Sequence, residues 1–129
     1  MRLKLDVIGL VITDMAVTLA FYRRLGLEIP AEADFAPHAE VPLPGGLRLT
    51  FDTVDVMTSF DPEFTLAPGS ASLAFLADSP QSVDETYQEL MAAGYHGHLA
   101  PWDAFWGQRY AVVHDPDGHT VDLFAALPG

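Results

Sequence analysis

The sequence predicts an α+β domain built as a tandem repeat, each copy running strand, helix, then strands. Three observations predict it. Apolar runs of strand length alternate with helical stripes; two aspartate-led helix starts, Asp14 and Asp78, lie 64 positions apart; two helix-ending glycines, Gly26 and Gly94, lie 68 apart. Neither copy has enough strands to bury its own sheet face. The two are therefore expected to serve one domain over residues 1–129, as modules at about 1–58 and 69–129 joined by a linker at about 59–68.

The elements follow in order. Leu3 to Ile12 reads as a strand, apolar on both faces in its second half. Thr13-Asp14 offers a helix cap. Two stripes follow, Met15, Leu19, Tyr22 and Val17, Phe21, Leu25, and Gly26 ends the helix. Leu27 to Pro30 is a candidate second strand, and Ala31 to Pro44, with three prolines, reads as loop. Gly45-Gly46 marks a turn before a strand at Leu47 to Val54, and Asp55 to Gly69 reads as irregular. In the second copy, Ser70 to Ala77 is a strand and Asp78-Ser79-Pro80 a cap with proline at the first helical position. Val83, Tyr87, Leu90 and Met91 form the helical stripe. Irregular residues run to Gly107, and strands at Gln108 to His114 and His119 to Ala125 flank a turn, Asp115-Pro116-Asp117-Gly118.

Composition narrows the function. Six basic against eighteen acidic residues leave a net charge of −12, which repels phosphate backbones and anionic lipid, so neither nucleic acid nor membrane is an expected partner. No cysteine is present, which excludes thiolate metal sites, disulfides and a cysteine nucleophile. The apolar run Val7 to Ile12 is too short for a signal peptide or a span, and the cytoplasm is the default address. No Gly-x-Ser-x-Gly element or phosphate loop occurs. His96-Gly97-His98 is a short pair that needs a third metal ligand. His114 and His119, expected to face each other across the turn, would pinch a metal on the rim or simply be polar residues at strand ends.

The segments Ile8-Gly9-Leu10-Val11-Ile12-Thr13-Asp14, Ala20-Phe21-Tyr22 and Leu25-Gly26-Leu27 resemble the vicinal-oxygen-chelate superfamily, which includes glyoxalase I, extradiol dioxygenases and bleomycin-resistance-type proteins. So do Leu73-Ala74-Phe75, Trp106-Gly107-Gln108-Arg109-Tyr110 and His114-Asp115-Pro116-Asp117-Gly118-His119 with Val121-Asp122-Leu123. The resemblance implies paired βαβββ modules whose curved sheets form a cleft, commonly in a homodimer. Its enzymes hold a divalent metal through four strand positions that fall here at Val7, Arg48, Ser72 and Asp122. Valine has no donor, arginine does not deprotonate, and serine is a poor ligand for zinc, nickel or iron. Only Asp122 suits a metal. The resemblance thus implies the fold without the metal chemistry, and no cofactor or catalytic residue is expected.

If His114 opposes His119, then Arg109, Ala111 and Val113 share a face with Asp122. Tyr110, Val112, Val121 and Leu123 then turn toward the helix. On the earlier strand Arg48, Thr50 and Asp52 share the cleft face with Val7, Gly9 and Val11. Arg48 is expected to pair with Asp122, either to orient a ligand or simply as a buried ion pair. Trp102, Phe105, Trp106 and Tyr110 fall within nine residues on an expected loop, with Phe35 and His38 in the first long loop. Flat rings there bind flat ligands or trap cations, or else seal a dimer. The expected function is a non-catalytic protein that sequesters a bulky aromatic or cationic natural product, as antibiotic-resistance members do. Arg48, Trp102, Phe105, Trp106, Arg109, Asp122, Val7, Thr50, Ser72, Phe35 and His38 are its expected ligand-binding residues. The alternative is a metal-dependent glyoxalase-type lyase or isomerase with a displaced ligand set, Asp122 with His119 or His38.

Overall fold

Two helix starts organise the chain in a computed structural model, which describes residues 2, 4–67 and 71–129. Asp14, in extended conformation, accepts the Val17 N–H at 3.1 Å and opens α1 (Met15–Arg24). Ser79 accepts the Ser82 N–H at 3.1 Å and opens α3 (Pro80–Ala92), with Pro80 in the first turn. Both helices stop in the same way. Gly26 (φ 100°) donates to the Arg23 carbonyl and Leu27 to that of Tyr22; Gly94 (φ 91°) donates to Met91 and Tyr95 to Leu90. This is the Schellman arrangement, and its left-handed residue is open to glycine at no steric cost. The repeat inferred from the spacing of these glycines is therefore a repeat of helix ends.

The chain divides into two units, Met1–Ala67 and Pro68–Gly129. In the first, β1 (Val7–Ile12) leads through α1 to β2 (His38–Pro42) and β3 (Arg48–Thr53), and α2 (Val54–Phe60) follows. The strand order is β1-β3-β2, with β1 parallel and β2 antiparallel to β3. Leu10, Ile12, Leu49 and Phe51 form one face and are buried with Leu19, Phe21 and Tyr22 of α1; the Tyr22 and Phe51 rings lie 5.2 Å apart. In the second unit, β4 (Ser72–Leu76), α3, β5 (Gly97–Ala104), β6 (Gln108–His114) and β7 (Thr120–Ala126) give the order β4-β7-β6-β5, with β4 parallel to β7. Val83 and Leu90 of α3 are buried, as are Ala111, Val113, Val121 and Leu123. The fold is α+β with two sheets, as expected.

Several local expectations fail for identifiable reasons. Leu27 to Pro30 forms no strand, so the first sheet has three strands where four were expected. There the Arg23 side chain donates to the Ile29 and Pro30 carbonyls at 2.9 and 2.8 Å and to Asp34 at 2.8 Å, doing the work of a strand ladder; a 3-10 turn (Ala31–Phe35) follows. The expected loop at Ala31 to Pro44 contains β2, whose five residues sit among prolines that obscure its alternation. The expected irregular stretch after Asp55 opens with α2, capped by Thr53. Likewise β5 occupies a stretch read as irregular, because Pro101 and two register shifts, between Gly97 and Leu99 and between Leu99 and Trp102, disguise it. Val17 is 48% exposed, while Thr18 is fully buried in its place. The expected strand starts at Leu3 and Ser70 lie outside the described residues.

The β6–β7 turn carries the most consequential difference. Asp115 donates its N–H to the His119 carbonyl, Gly118 (φ 84°) donates to the Asp115 carbonyl, and Asp115 Oδ1 accepts the N–H groups of Asp117 and His119. A type I turn followed by a left-handed glycine has three loop residues, not four. His114 therefore opposes Thr120, Val112 opposes Asp122, and Tyr110 opposes Phe124. A one-residue change of register exchanges the faces. Tyr110 and Val112 lie with Asp122, while Arg109, Ala111 and Val113 lie on the α3 side.

Candidate functional site

The open face of the first sheet is an ionic row. Val7, Gly9 and Val11 pair with Arg48, Thr50 and Asp52, which pair in turn with Pro42, Glu40 and His38, so all nine share the side away from α1. Gly9 leaves room for buried Thr50, whose Oγ1 would stand 3.2 Å from a Cβ there. Arg48 donates to Glu40 at 2.6 Å and to Asp6 at 2.7 Å; His38 bonds to Glu40 at 2.8 Å through Nε2 and to Asp52 through Nδ1. Charges of alternating sign thus run Asp6, Arg48, Glu40, His38, Asp52. The hydrogen bonds to Glu40 and then to Asp52 raise the His38 pKa, and those from His38 and then Arg48 lower that of Glu40. Glu40 was missed from sequence because β2 was unread, and Asp6 because a strand read from Leu3 gives it the opposite parity to Val7. Phe35, expected near a ligand, is 91% exposed at the end of the 3-10 turn.

The open face of the second sheet is aromatic. Trp102 lies on β5 opposite Tyr110, not on a loop, and Tyr110 lies opposite Phe124. The Trp102 ring stands 5.5 Å from Tyr110 and 6.1 Å from Trp106; Trp106 stands 5.2 Å from Tyr110, and Tyr110 6.3 Å from Phe124. Most of these are edge-to-face contacts, the arrangement ring quadrupoles favour. Trp106 and Phe105 sit at the β5–β6 turn, 49% and 96% exposed, with the Trp106 indole donating to Gln108 at 2.8 Å. Among the rings, the Tyr110 hydroxyl donates to Asp122 Oδ2. Burial, then the bond to Asp122, pushes the Tyr110 pKa up to about 12, so the phenol keeps its proton. Asp122 Oδ1 is buried without a hydrogen-bond partner. Ser72 and Ala74, opposite Thr120 and Asp122, extend this face along β4.

The expectations for Arg109 and for the rim histidines need correction. Arg109 is not on this face: it donates to Asp84 of α3 at 2.9 and 3.2 Å and to Asp103 at 3.1 Å. Arg48 commits both terminal nitrogens to carboxylates of its own module, and Asp122 Oδ2 accepts the hydroxyl of Tyr110. Nor do His114 and His119 face each other. His114 bonds through Nδ1 to His96 Nδ1 at 2.9 Å and lies 5.0 Å from the His98 ring, while His119 is buried in the turn. Burial and the neighbouring imidazoles lower the His114 pKa.

The Glyoxalase/Bleomycin resistance protein/Dioxygenase superfamily matches residues 4–123. The chain belongs to that superfamily. No curated protein matches it. Among solved structures, a glyoxalase-related enzyme from Fulvimarina pelagi superposes with a TM-score of 0.78 at 23% identity, covering 95% of this chain and 87% of that one. A glyoxalase/bleomycin resistance protein/dioxygenase family enzyme from Burkholderia phytofirmans PsJN gives 0.77 at 19%, covering 97% and 100%. A genomically encoded fosfomycin resistance protein from Listeria monocytogenes gives 0.69 at 22%, covering 98% and 95%. At such identities the likeness is one of fold.

The metal that the superfamily implies does not fit these residues. Val7 and Ser72 offer no strong ligand, and Arg48 holds a cation against Glu40 and Asp6. His38, offered by the displaced set, has both ring nitrogens turned to carboxylates. Among the described residues no group of three or more His, Asp or Glu side chains is arranged to hold a metal ion. No helix among them is long and apolar enough to cross a membrane.

Proposed function

We propose that this member of the superfamily is a non-catalytic binding protein for a bulky, largely aromatic small molecule, in the way of resistance proteins that sequester a drug. One observation carries the reading: Trp102, Trp106, Tyr110 and Phe124 gather on one sheet face, where the Tyr110 hydroxyl is bonded to Asp122. Ring faces and edges recognise planar ligands by stacking, and one polar group among them sets orientation. The ionic row supports it from the other module, because a guanidinium tied to two carboxylates stands where a metal ligand would be needed. A homodimer belongs to the same proposal, with exposed Leu76, Leu99 and Phe105 as surface that a second copy would cover.

Tryptophan fluorescence tests the proposal directly. Polycyclic or glycopeptide antibiotics at micromolar concentration should quench emission saturably. Trp102→Phe and Trp106→Phe should each weaken binding by about 1 kcal/mol, the value of one ring contact. Unchanged emission with both compound classes would remove the reading.

A further inference from the structure

We propose that the ligand held by the aromatic face carries an ammonium group with at least one N–H, received by Asp122 Oδ1 next to Tyr110. The inference rests on the reading of that face as a binding site, and it names the chemistry of its occupant.

The two oxygens of Asp122 are unequal. Oδ2 accepts the Tyr110 hydroxyl, whereas Oδ1 is buried with no donor. A buried carboxylate oxygen without a donor is costly, and a donor arriving with a ligand would relieve that cost. The second module has little to supply in its place. Across residues 71–129 there is one basic residue, Arg109, against eight acidic ones, and its guanidinium is bonded to Asp84 and Asp103 on the opposite face.

A hydroxyl could also donate to Oδ1, but two features favour a cation. Charge-assisted hydrogen bonds are about twice as strong as neutral ones. The rings on the same sheet face present π systems that attract positive charge, and the acidic balance of the module adds a field of the same sense. Tyr110 keeps its proton, so the phenol remains the donor to Oδ2 and does not compete for a ligand proton. Anionic ligands are disfavoured on the same grounds.

Calorimetry on the unmodified protein at pH 7 and low salt, with 2-naphthylmethylamine and 2-naphthylmethanol, separates the possibilities because the two probes share ring and shape. The amine should bind about tenfold more tightly. Its N-trimethylated form, which keeps the charge and lacks an N–H, should fall between the two. In Asp122→Asn the preference for the amine over the alcohol should disappear. Equal affinities in the unmodified protein would overturn the ammonium inference and leave the aromatic reading standing. Binding of neither probe would overturn both, and an amine preference surviving in Asp122→Asn would overturn the role of Asp122.

Discussion

The two modules start and stop their helices alike and then put opposite chemistry on their open sheet faces. In the first, every charge on the face meets an opposite one, from Asp6 through Arg48, Glu40 and His38 to Asp52. In the second, a cluster of rings shares the face with a carboxylate that has one oxygen unanswered. The first also closes its sheet with three strands and an arginine staple, the second with four strands and a buried turn. The difference teaches that the shared plan lies in the helix ends and the α-facing strand residues. The outward-facing alternate residues are free to diverge, since period 2 decouples them from the core.

The strongest way to break the comparison is at the β6–β7 turn. Asp115→Ala removes the acceptor for the Asp117 and His119 N–H groups at a site only 4% exposed, and should cost about 3 kcal/mol in urea unfolding. Because the turn sets the register, the Tyr110–Asp122 contact should be disturbed as well, visible as a shift in tryptophan emission. A smaller effect is expected from the first module's substitute strand. Arg23→Met removes donors from the Ile29 and Pro30 carbonyls and should cost about 2 kcal/mol, with faster hydrogen exchange confined to residues 27–36.

The smallest effect sharpens the contrast through pH. His38, raised by Glu40 and Asp52, should titrate above 6.5 by NMR; its contribution is complete below the unfolded value and is lost as pH rises through the folded one. His114 is lowered by burial and by His96 and His98. It should titrate below 6.5 and penalise the folded state only as pH falls from 6.5 through that value. A common midpoint for the two imidazoles would erase the distinction.

Much of the fold was legible because its signals are local. A capping side chain reaches three residues along, and a left-handed glycine acts where it stands, so α1, α3 and β6 emerge close to their observed bounds. The open face of β1 and β3 was legible too, since alternation and pairing agreed there. What was obscured was short or interrupted. β2 is five residues among prolines, and β5 carries a proline and two register shifts. In the site, Arg48, Thr50 and His38 were found together on one face and Trp102 with Trp106 and Asp122 on the other, while Arg109 and Tyr110 exchanged sides with the one-residue register change.

The sequence by itself determined the tandem α+β plan and the acidic balance, because these depend on residue identity and short-range spacing. Only the tertiary structure decided which partner each charge takes and which rings share a face with Asp122. Those outcomes turn on strand register, which a single left-handed glycine at Gly118 can shift by one residue, and on Glu40 and Asp6 reaching Arg48 from 8 and 42 positions away.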